Sequence, residues 1–590
     1  MSLIPSGRPS RTTRLFPHFA FAVCLLTSLA ITGAGISRQS PTVDEPTHLV
    51  RGLSLWWTGD TRMSYAHPPL ANAIAALPGA LRDRGERPAF EKMNGWKQAS
   101  PGHLTIAYAN RNYEQLRSEW VLGRWAMLAM SAAFLVYLHV WVTRRFGALV
   151  AACGVGLLAT TPSFLAHASL VTTDGPMVAM FTITVCELIG FIEQRTRARA
   201  LRFGLVLGAA LLTKFSAAVL VPLALLVLVA DAVVGRGARW RGASARRRVM
   251  ALVADFAVIS VVACFTVNAG YGFQRIGWTV ERILAAPEPQ NNISNDYDDD
   301  LLEKKTPLAK MPGALVVPLP YSYVFGISTI KVQTSGGHPL RSYFLGEIRN
   351  EGVPYYFPLL LLLKVPLVAW LALVPGVWLA VRQRAYALLV PAALALCFLG
   401  LIMRSGLHIG VRHALPVLPP LMLLAGLAIA RVLDATRRFR PLALAAAGVA
   451  GLIMVDRASA DFLGDFNALA GDSEGQRRVS VIGEDWGQDV AALGLLVKAE
   501  GLTPLHFVGI GHTGNRELAR LGIQTKGYKC RRPEGAQWIA IHDSKLVRQP
   551  GCFKWLPAEP RWTVNNHIRV YELPPAPDDA RTARRGIATN

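Results

Sequence analysis

The stretch Phe16–Ile36, FPHFAFAVCLLTSLAITGAGI, runs directly into SRQSPTVDEPTHLV, residues 37–50. The first part is predominantly apolar and long enough to cross a bilayer, which takes about 20 such residues. Asp44 and Glu45 stand just past its end. Two adjacent carboxylates at the water edge of a membrane point to transport, pairing or catalysis.

Working outward, further apolar runs follow through most of the 590 residues, of which 52% are hydrophobic and 17% charged. Periodicity and length predict eleven spans, at about 15–36, 121–143, 147–165, 172–192, 201–213, 216–234, 249–268, 354–381, 385–403, 414–431 and 441–456. The fifth and sixth are short enough to form a broken pair. A net charge of +23 would suit nucleic acid as a partner, but its distribution argues against one. The cations gather in alternate short connectors: Arg8, Arg11 and Arg14; Arg144 and Arg145; Arg195 to Arg202; Arg236 to Arg248; Arg382 and Arg384; Arg431 to Arg440. With eleven spans all of these fall on one side. The short connectors on the other side carry only Lys214, Arg404 and Arg412. This asymmetry places the N-terminus in the cytoplasm and the C-terminus outside, as in a multi-pass membrane protein. The first run exceeds the length of a signal-peptide core, so it reads as an anchor.

Residues 1–456 then form a transmembrane domain with outer loops at 37–120 and 269–353. Residues 457–590 form a second, extracytoplasmic domain. Its runs VSVIG, DVAALGLLVKAEG, LHFVGIG, RELARLG, WIAIHD and HIRVYEL alternate strand and helix character and predict a small α/β unit. The final PPAPDDARTARRGIATN has the composition of a disordered tail. Five cysteines fall within spans, whereas Cys530 and Cys552 lie in the tail, where an oxidising compartment would let them pair.

Several polar groups cluster at outer-face positions. The first loop adds His48 and the segment SYAHPPL with His67, before an apolar stretch that predicts an interfacial helix. Asp174 opens the fourth span, where it serves as a helix cap or as a second acid facing the Asp44 cavity. Lys214 lies between two short apolar runs, too deep to stand without a partner unless it snorkels, and suits a lipid phosphate. Arg412 and His413 enter the tenth span from the cation-poor side, and Arg suits bidentate phosphate contact. Asp44, Glu45, His48 and Asp174 also form a candidate ligand set for a divalent metal ion. Trp56, Trp57, Tyr65, Tyr355 and Tyr356 are either sugar-stacking or interface aromatics. EPQNNISNDYDDDLLEKK and the Gly336–Pro339 turn read as a mobile lid or a solvated loop. The chain has no P-loop or dinucleotide fingerprint, so an ATP-driven mechanism has no support.

The motifs DE, HPPL, TPSFLAHASLVTTDG, ALLTKFSA, PYYFPLLLLLKVPL and GVRHALP, in that order, resemble glycosyltransferase family 39. That group includes protein O-mannosyltransferases and the bacterial aminoarabinose transferase of lipid A. DFNALAG (465–471) and EDWGQDVAAL (484–493) look like the extension of its bacterial members. The resemblance implies a GT-C fold, α-helical and polytopic with about eleven spans, and a polyprenyl-phosphate-linked sugar donor. It implies that Asp44, Glu45 and Asp174 are catalytic. It places Lys214, Arg412 and His413 near the lipid phosphate, with His67 a further candidate. Loop 269–353 is too short for the MIR domain of the protein-mannosylating members, which argues against eukaryote-type protein mannosylation. The acceptor is a protein, a lipid or a glycan.

The residues suit that chemistry. A lipid phosphate leaves readily once its charge is neutralised, so it needs cations more than a strong acid. The acceptor hydroxyl needs a base, and Asp44 is the expected one. A secondary transporter or flippase of envelope precursors is the rival, although no paired repeat supports it. An envelope-assembly scaffold is a third reading.

Overall fold

The computed structural model describes residues 11–83, 88–235, 240, 242–286, 307–332, 342–349, 351–436 and 439–574. The acidic loop, the Gly336–Pro339 turn and the last sixteen residues of the predicted tail lie outside these.

All eleven predicted spans are helical, but not all are full spans. Among the described residues, seven helices are long and apolar enough to cross a membrane, or up to nine if each of two bent pairs is one span. In chain order they begin with α1 (Arg11–Ile36). The first loop is not open chain. It folds into α2 (Glu45–Thr58), α3 (Pro69–Arg82) and α4 (Pro101–Arg111). The second spanning helix, α5 (Tyr113–Phe146), starts eight residues before its predicted position, because the Asn112 side chain accepts from the Gln115 N–H and caps it there. The third span is a pair, α6 (Ala148–Ala159) and α7 (Pro162–Ala168), bent by 70° at Pro162. Then come α8 (Asp174–Glu193), α9 (Arg197–Leu211), α10 (Leu220–Val234) and α11 (Ala245–Gly270). Past the second loop, α12 (Tyr356–Lys364) and α13 (Leu367–Arg382) form the other bent pair, at 109°. They are followed by α14 (Tyr386–Ile402), α15 (Leu418–Ala435) and α16 (Arg440–Ala458).

Two expected spans are therefore short. The first turns of α9 are taken by Arg197, Arg199 and Arg202, which leaves 15 residues in all, and α14 has 17. The helices share one apolar core that reaches from Phe21 to Trp486. The loop helices α2, α3 and α4 form a second core with the start of α5, including Leu49, Phe90, Tyr108 and Trp120.

Two short antiparallel strand pairs interrupt the second loop, β1 (Trp278–Thr279) with β2 (Val316–Val317), and the hairpin of β3 (Ser342–Phe344) with β4 (Glu347–Arg349). The tail holds a five-stranded sheet of β5 (Leu505–Val508), β6 (Thr525–Lys526), β7 (Trp538–His542), β8 (Trp562–Val564) and β9 (Ile568–Glu572), in the order β6-β5-β7-β9-β8. β5 runs parallel to β6 and β7, and β9 is antiparallel to β7, pairing Ala540 with Val570. A helix at Val490–Glu500 covers one face, with Val490, Leu493 and Val497 turned into the sheet's core. VSVIG is not a strand. Val479 ends a short helix, and only an isolated bridge between Ile482 and Asp485 follows. Cys530 and Cys552 are disulfide-bonded.

Candidate active site

Asp44 and Asp174 each sit at a helix N-terminus, but neither carboxylate caps its helix. Asp44 is the N-cap of α2 and makes no side-chain cap bond; Asp174 is the first residue of α8, one past its N-cap Thr173. Both are turned instead toward a shared group of cations, while the helix dipoles favour their charge. Arg412 Nη1 donates to Asp44 Oδ2 at 2.9 Å and lies 3.9 Å from Asp174 Oδ2. Lys214 Nζ donates to Asp174 Oδ1 at 2.5 Å. The chain runs Asp44, Arg412, Asp174, Lys214, with charges alternating.

Exposure separates the two acids. The Asp44 side chain is 40% exposed, whereas that of Asp174 is 4%. Asp174 is thus committed to holding two cations, and Asp44 offers an oxygen to an incoming group. Lys214 reaches the site because the helical run breaks after α9. Its own backbone is extended, at φ −154° and ψ 141°, before a 3-10 turn leads into α10.

Arg412 is fixed from the tail. Its guanidinium lies over the Trp486 ring, 4.0 Å from the centroid. Its Nε is buried and has no hydrogen-bond partner. Backbone contact brings the two loops together: a Cβ on Gly483 would meet Ile409 O at 2.5 Å, and Gly483 adopts φ +106°. Only glycine satisfies both conditions there. The Gly410 N–H donates to Tyr356 Oη at 2.8 Å, and Tyr356 stacks on His408. The tail also braces the segment before Asp44. Val43 N–H donates to Trp486 O, and Ser40 N–H to Gln488 O. The site is therefore not confined to residues 1–456.

Three successive residues of the EDW segment act in three directions. Glu484 is buried, accepts from Ser480 Oγ and faces Lys364 Nζ at 3.5 Å. Lys364, itself buried, donates to the carbonyls of Leu463 and Asp465 and covers the Phe466 ring. Asp485 accepts from the Ser544 N–H and pairs with His542 Nδ1 on β7. Trp486 meets Arg412. The motif thus joins α12, the sheet and the site.

Glu45 does not join this chain of charges, which corrects the expectation of a second catalytic acid beside Asp44. It is fully buried, and Arg124 Nε and Nη2 donate to its two oxygens at 2.8 and 2.6 Å. The N–H groups of Thr42 and Val171 donate to it as well. Burial pushes its carboxyl up, but the Arg124 charge and these bonds outweigh that and hold it below its ordinary value. Arg124 also donates to Ile36 O and Ser40 O, so the pair staples the end of α1 to α2 and α5.

The histidines divide. His67 stacks at 4.6 Å on His48, whose Nδ1 pairs with Asn72 Oδ1 at 2.8 Å. Burial, then His48, Arg51 and Lys214, hold His67 well below its ordinary pKa; burial and Arg51 bring His48 to about 4. Both are neutral at neutral pH. His67, a further phosphate-binding candidate of the sequence reading, thus lies beside the cations as a neutral imidazole. His413 lies next to Arg412, tilted against Phe357. Asp44, Glu45, His48 and Asp174 do not converge as metal ligands; among the described residues the one converging trio is Asp461, Asp489 and His567. Of the aromatics, Tyr65 and Tyr356 are buried and Trp57 stacks on Phe90, while Trp56 and Tyr355 stay exposed.

Sequence reasoning missed Arg51, Arg124, His167 and Trp486. Arg51 and His167 are buried beside the charged chain. The only signal for them was position: Arg51 one helical turn past His48, His167 in the segment leading to Asp174.

Residues 115–263 match the family model described as dolichyl-phosphate-mannose-protein mannosyltransferase, and this part includes Asp174 and Lys214. No curated protein matches the chain in sequence. Among solved structures, the chain is similar to ArnT from Cupriavidus metallidurans in the apo state, at 14% identity and a TM-score of 0.44, over 93% of this chain and 97% of that one. ArnT from the same organism bound to undecaprenyl phosphate gives 14% identity and 0.43, over 95% and 98%. The archaeal oligosaccharyltransferase AglB from Archaeoglobus fulgidus, in complex with an inhibitory peptide and a dolichol-phosphate, gives 11% and 0.43. That likeness spans 76% of this chain and 56% of AglB.

Proposed function

We propose that this chain is an integral-membrane glycosyltransferase that moves a sugar from a polyprenyl-phosphate donor to an acceptor hydroxyl. One observation carries the reading: a half-exposed carboxylate, Asp44, pairs with Arg412, which in turn approaches the buried Asp174 and, through it, Lys214. The family model over residues 115–263 supports the same reaction class.

Asp44 takes the proton of the acceptor hydroxyl as its oxygen attacks the anomeric carbon. The bond from that carbon to the phosphate oxygen breaks, and the lipid phosphate leaves with the electron pair. Arg412 and Lys214 receive the charge that develops on it. Asp174 keeps the two cations in place before the donor arrives. A single displacement of this kind inverts the anomeric configuration. The sugar is a hexose or a pentose, and the acceptor a protein, lipid or glycan.

The site lies at the end of the bundle opposite Arg144, Arg145, Arg195 and Arg382. That placement, with the disulfide in the tail, supports an extracytoplasmic site and sheet in a bacterial inner membrane. Residues 1–456 would then form the membrane body and 457–590 the outer extension that completes the site.

The test incubates the full chain in detergent with a panel of polyprenyl-phosphate sugars and envelope extract, and follows free polyprenyl phosphate by mass spectrometry. Release from one donor class is the expected result. Movement of intact donor across vesicles without release would instead establish a transporter.

Trp486 gives a finer check. Trp486→Leu removes the ring under Arg412, an interaction of about 0.5–2 kcal/mol. Transfer should fall by roughly 2- to 30-fold, with the larger part in KM for the donor. An unchanged donor KM would mean that Arg412 is positioned without the tail.

A further inference from the structure

The charged groups at the junction between the last helix and the sheet are not used by the proposed reaction. Asp461 follows α16, Asp489 precedes the Val490–Glu500 helix without capping it through its side chain, and His567 stands in the turn before β9. Their donor atoms lie within 4.8 Å of one another. His567 Nε2 and Asp461 Oδ2 are 2.6 Å apart.

Each carboxylate is oriented by its other oxygen. Asp461 Oδ1 accepts from the Gly464 N–H at 3.0 Å and from Gln488 Nε2 at 3.4 Å. Asp489 Oδ1 accepts from Asn565 Nδ2 at 2.8 Å. These are the outer contacts that hold metal ligands in register. The second oxygen of Asp489 is the informative atom. Asp489 is 2% exposed, yet its Oδ2 has no hydrogen-bond partner. A buried carboxylate oxygen without a partner is costly and calls for a cation. The space above the donors is also kept open: a Cβ on Gly464 would lie 2.0 Å from Asp461 Oδ2 and 2.6 Å from His567 Nε2.

We propose that Asp461, Asp489 and His567 form a structural site for a divalent transition-metal ion that clamps α16 to the C-terminal sheet. Two carboxylates and one imidazole suit Zn²⁺, with water as the fourth ligand, and Mn²⁺ less tightly. Binding releases the proton that His567 and Asp461 share.

The full chain in detergent, stripped with a chelator and dialysed, is titrated with Zn²⁺ and with Mn²⁺. Bound metal is counted by mass spectrometry, and thermal unfolding is followed in parallel. Wild type should take up one Zn²⁺ per chain and unfold at a higher temperature. Asp489→Asn and His567→Gln should each weaken uptake by at least about tenfold and lose the thermal response. Asp489→Asn removes only the charge of an unpaired oxygen, so it keeps the test valid if His567→Gln fails to fold. Wild type that takes up neither ion, or an Asp489→Asn chain that responds like wild type, overturns the site.

Discussion

Asp44→Asn should abolish measurable sugar transfer, lowering it by about 10²- to 10⁴-fold, while the chain unfolds close to the wild-type temperature. The substitution keeps the shape and removes the base. Its stability cost is small because the Asp44 side chain is 40% exposed, and ion pairs of that kind contribute about 1 kcal/mol or less. Arg412 also keeps Asp174 at 3.9 Å and the Trp486 face. Donor binding should therefore survive, and the loss should appear in kcat. Asp174→Asn behaves differently under the same reasoning. It removes the countercharge of Lys214 at 2.5 Å from a buried position, so it should lower donor affinity and thermal stability together. Release of polyprenyl phosphate, donor KM and unfolding temperature on the two variants separate these roles. Near-wild-type turnover by a folded Asp44→Asn chain would remove Asp44 as the base, and another group would have to take the proton.

How far this site was legible depends on what sequence spacing encodes. Asp44, Asp174, Lys214 and Arg412 stood out because a charge near an apolar run is expensive and demands a partner. Which charge meets which was not readable: the Arg412–Asp44 contact joins residues 368 positions apart. The helices were legible for the same reason as the charges, since length and apolarity mark them directly. Their ends were less so. Helix α5 begins at a cap, Asn112, that no hydropathy pattern shows. Glu45 was misread because adjacency in sequence suggested a shared role. At the start of α2 the neighbouring side chains diverge, one toward Arg412 and one into the protein toward Arg124. Trp486 was hidden for a third reason. Its motif lies in a tail that reads as a separate domain, and contacts between residues far apart in sequence, the Gly410–Gly483 approach and the Val43–Trp486 backbone bond among them, bring that tail to the site.

Glu45→Gln should destabilise the whole chain by about 3–5 kcal/mol, the cost of leaving a buried charge unpaired. Arg124 is 1% exposed and Glu45 is fully buried, with 2.6 Å between Nη2 and Oε2. Arg124 holds Ile36 O and Ser40 O as well, so the loss should loosen the join of α1, α2 and α5 and lower the unfolding temperature in detergent by many degrees. Glu45→Gln with Arg124→Met removes both charges and should be less destabilised than the two single changes added together. The pH dependence has a definite sign. The folded Glu45 carboxyl is held below its ordinary value by Arg124 and two backbone N–H groups. Its stabilisation is therefore complete above the unfolded carboxyl range, about 4.3, and is lost as pH falls through the lower folded value. In Glu45→Gln that part of the acid sensitivity should vanish. The two acids of the DE pair are then told apart by readout: Asp44 by turnover at unchanged stability, Glu45 by stability. Full stability with lost turnover in Glu45→Gln would return Glu45 to the catalytic role its sequence position first suggested, and Arg124 would then have to tolerate burial through its backbone carbonyl contacts alone.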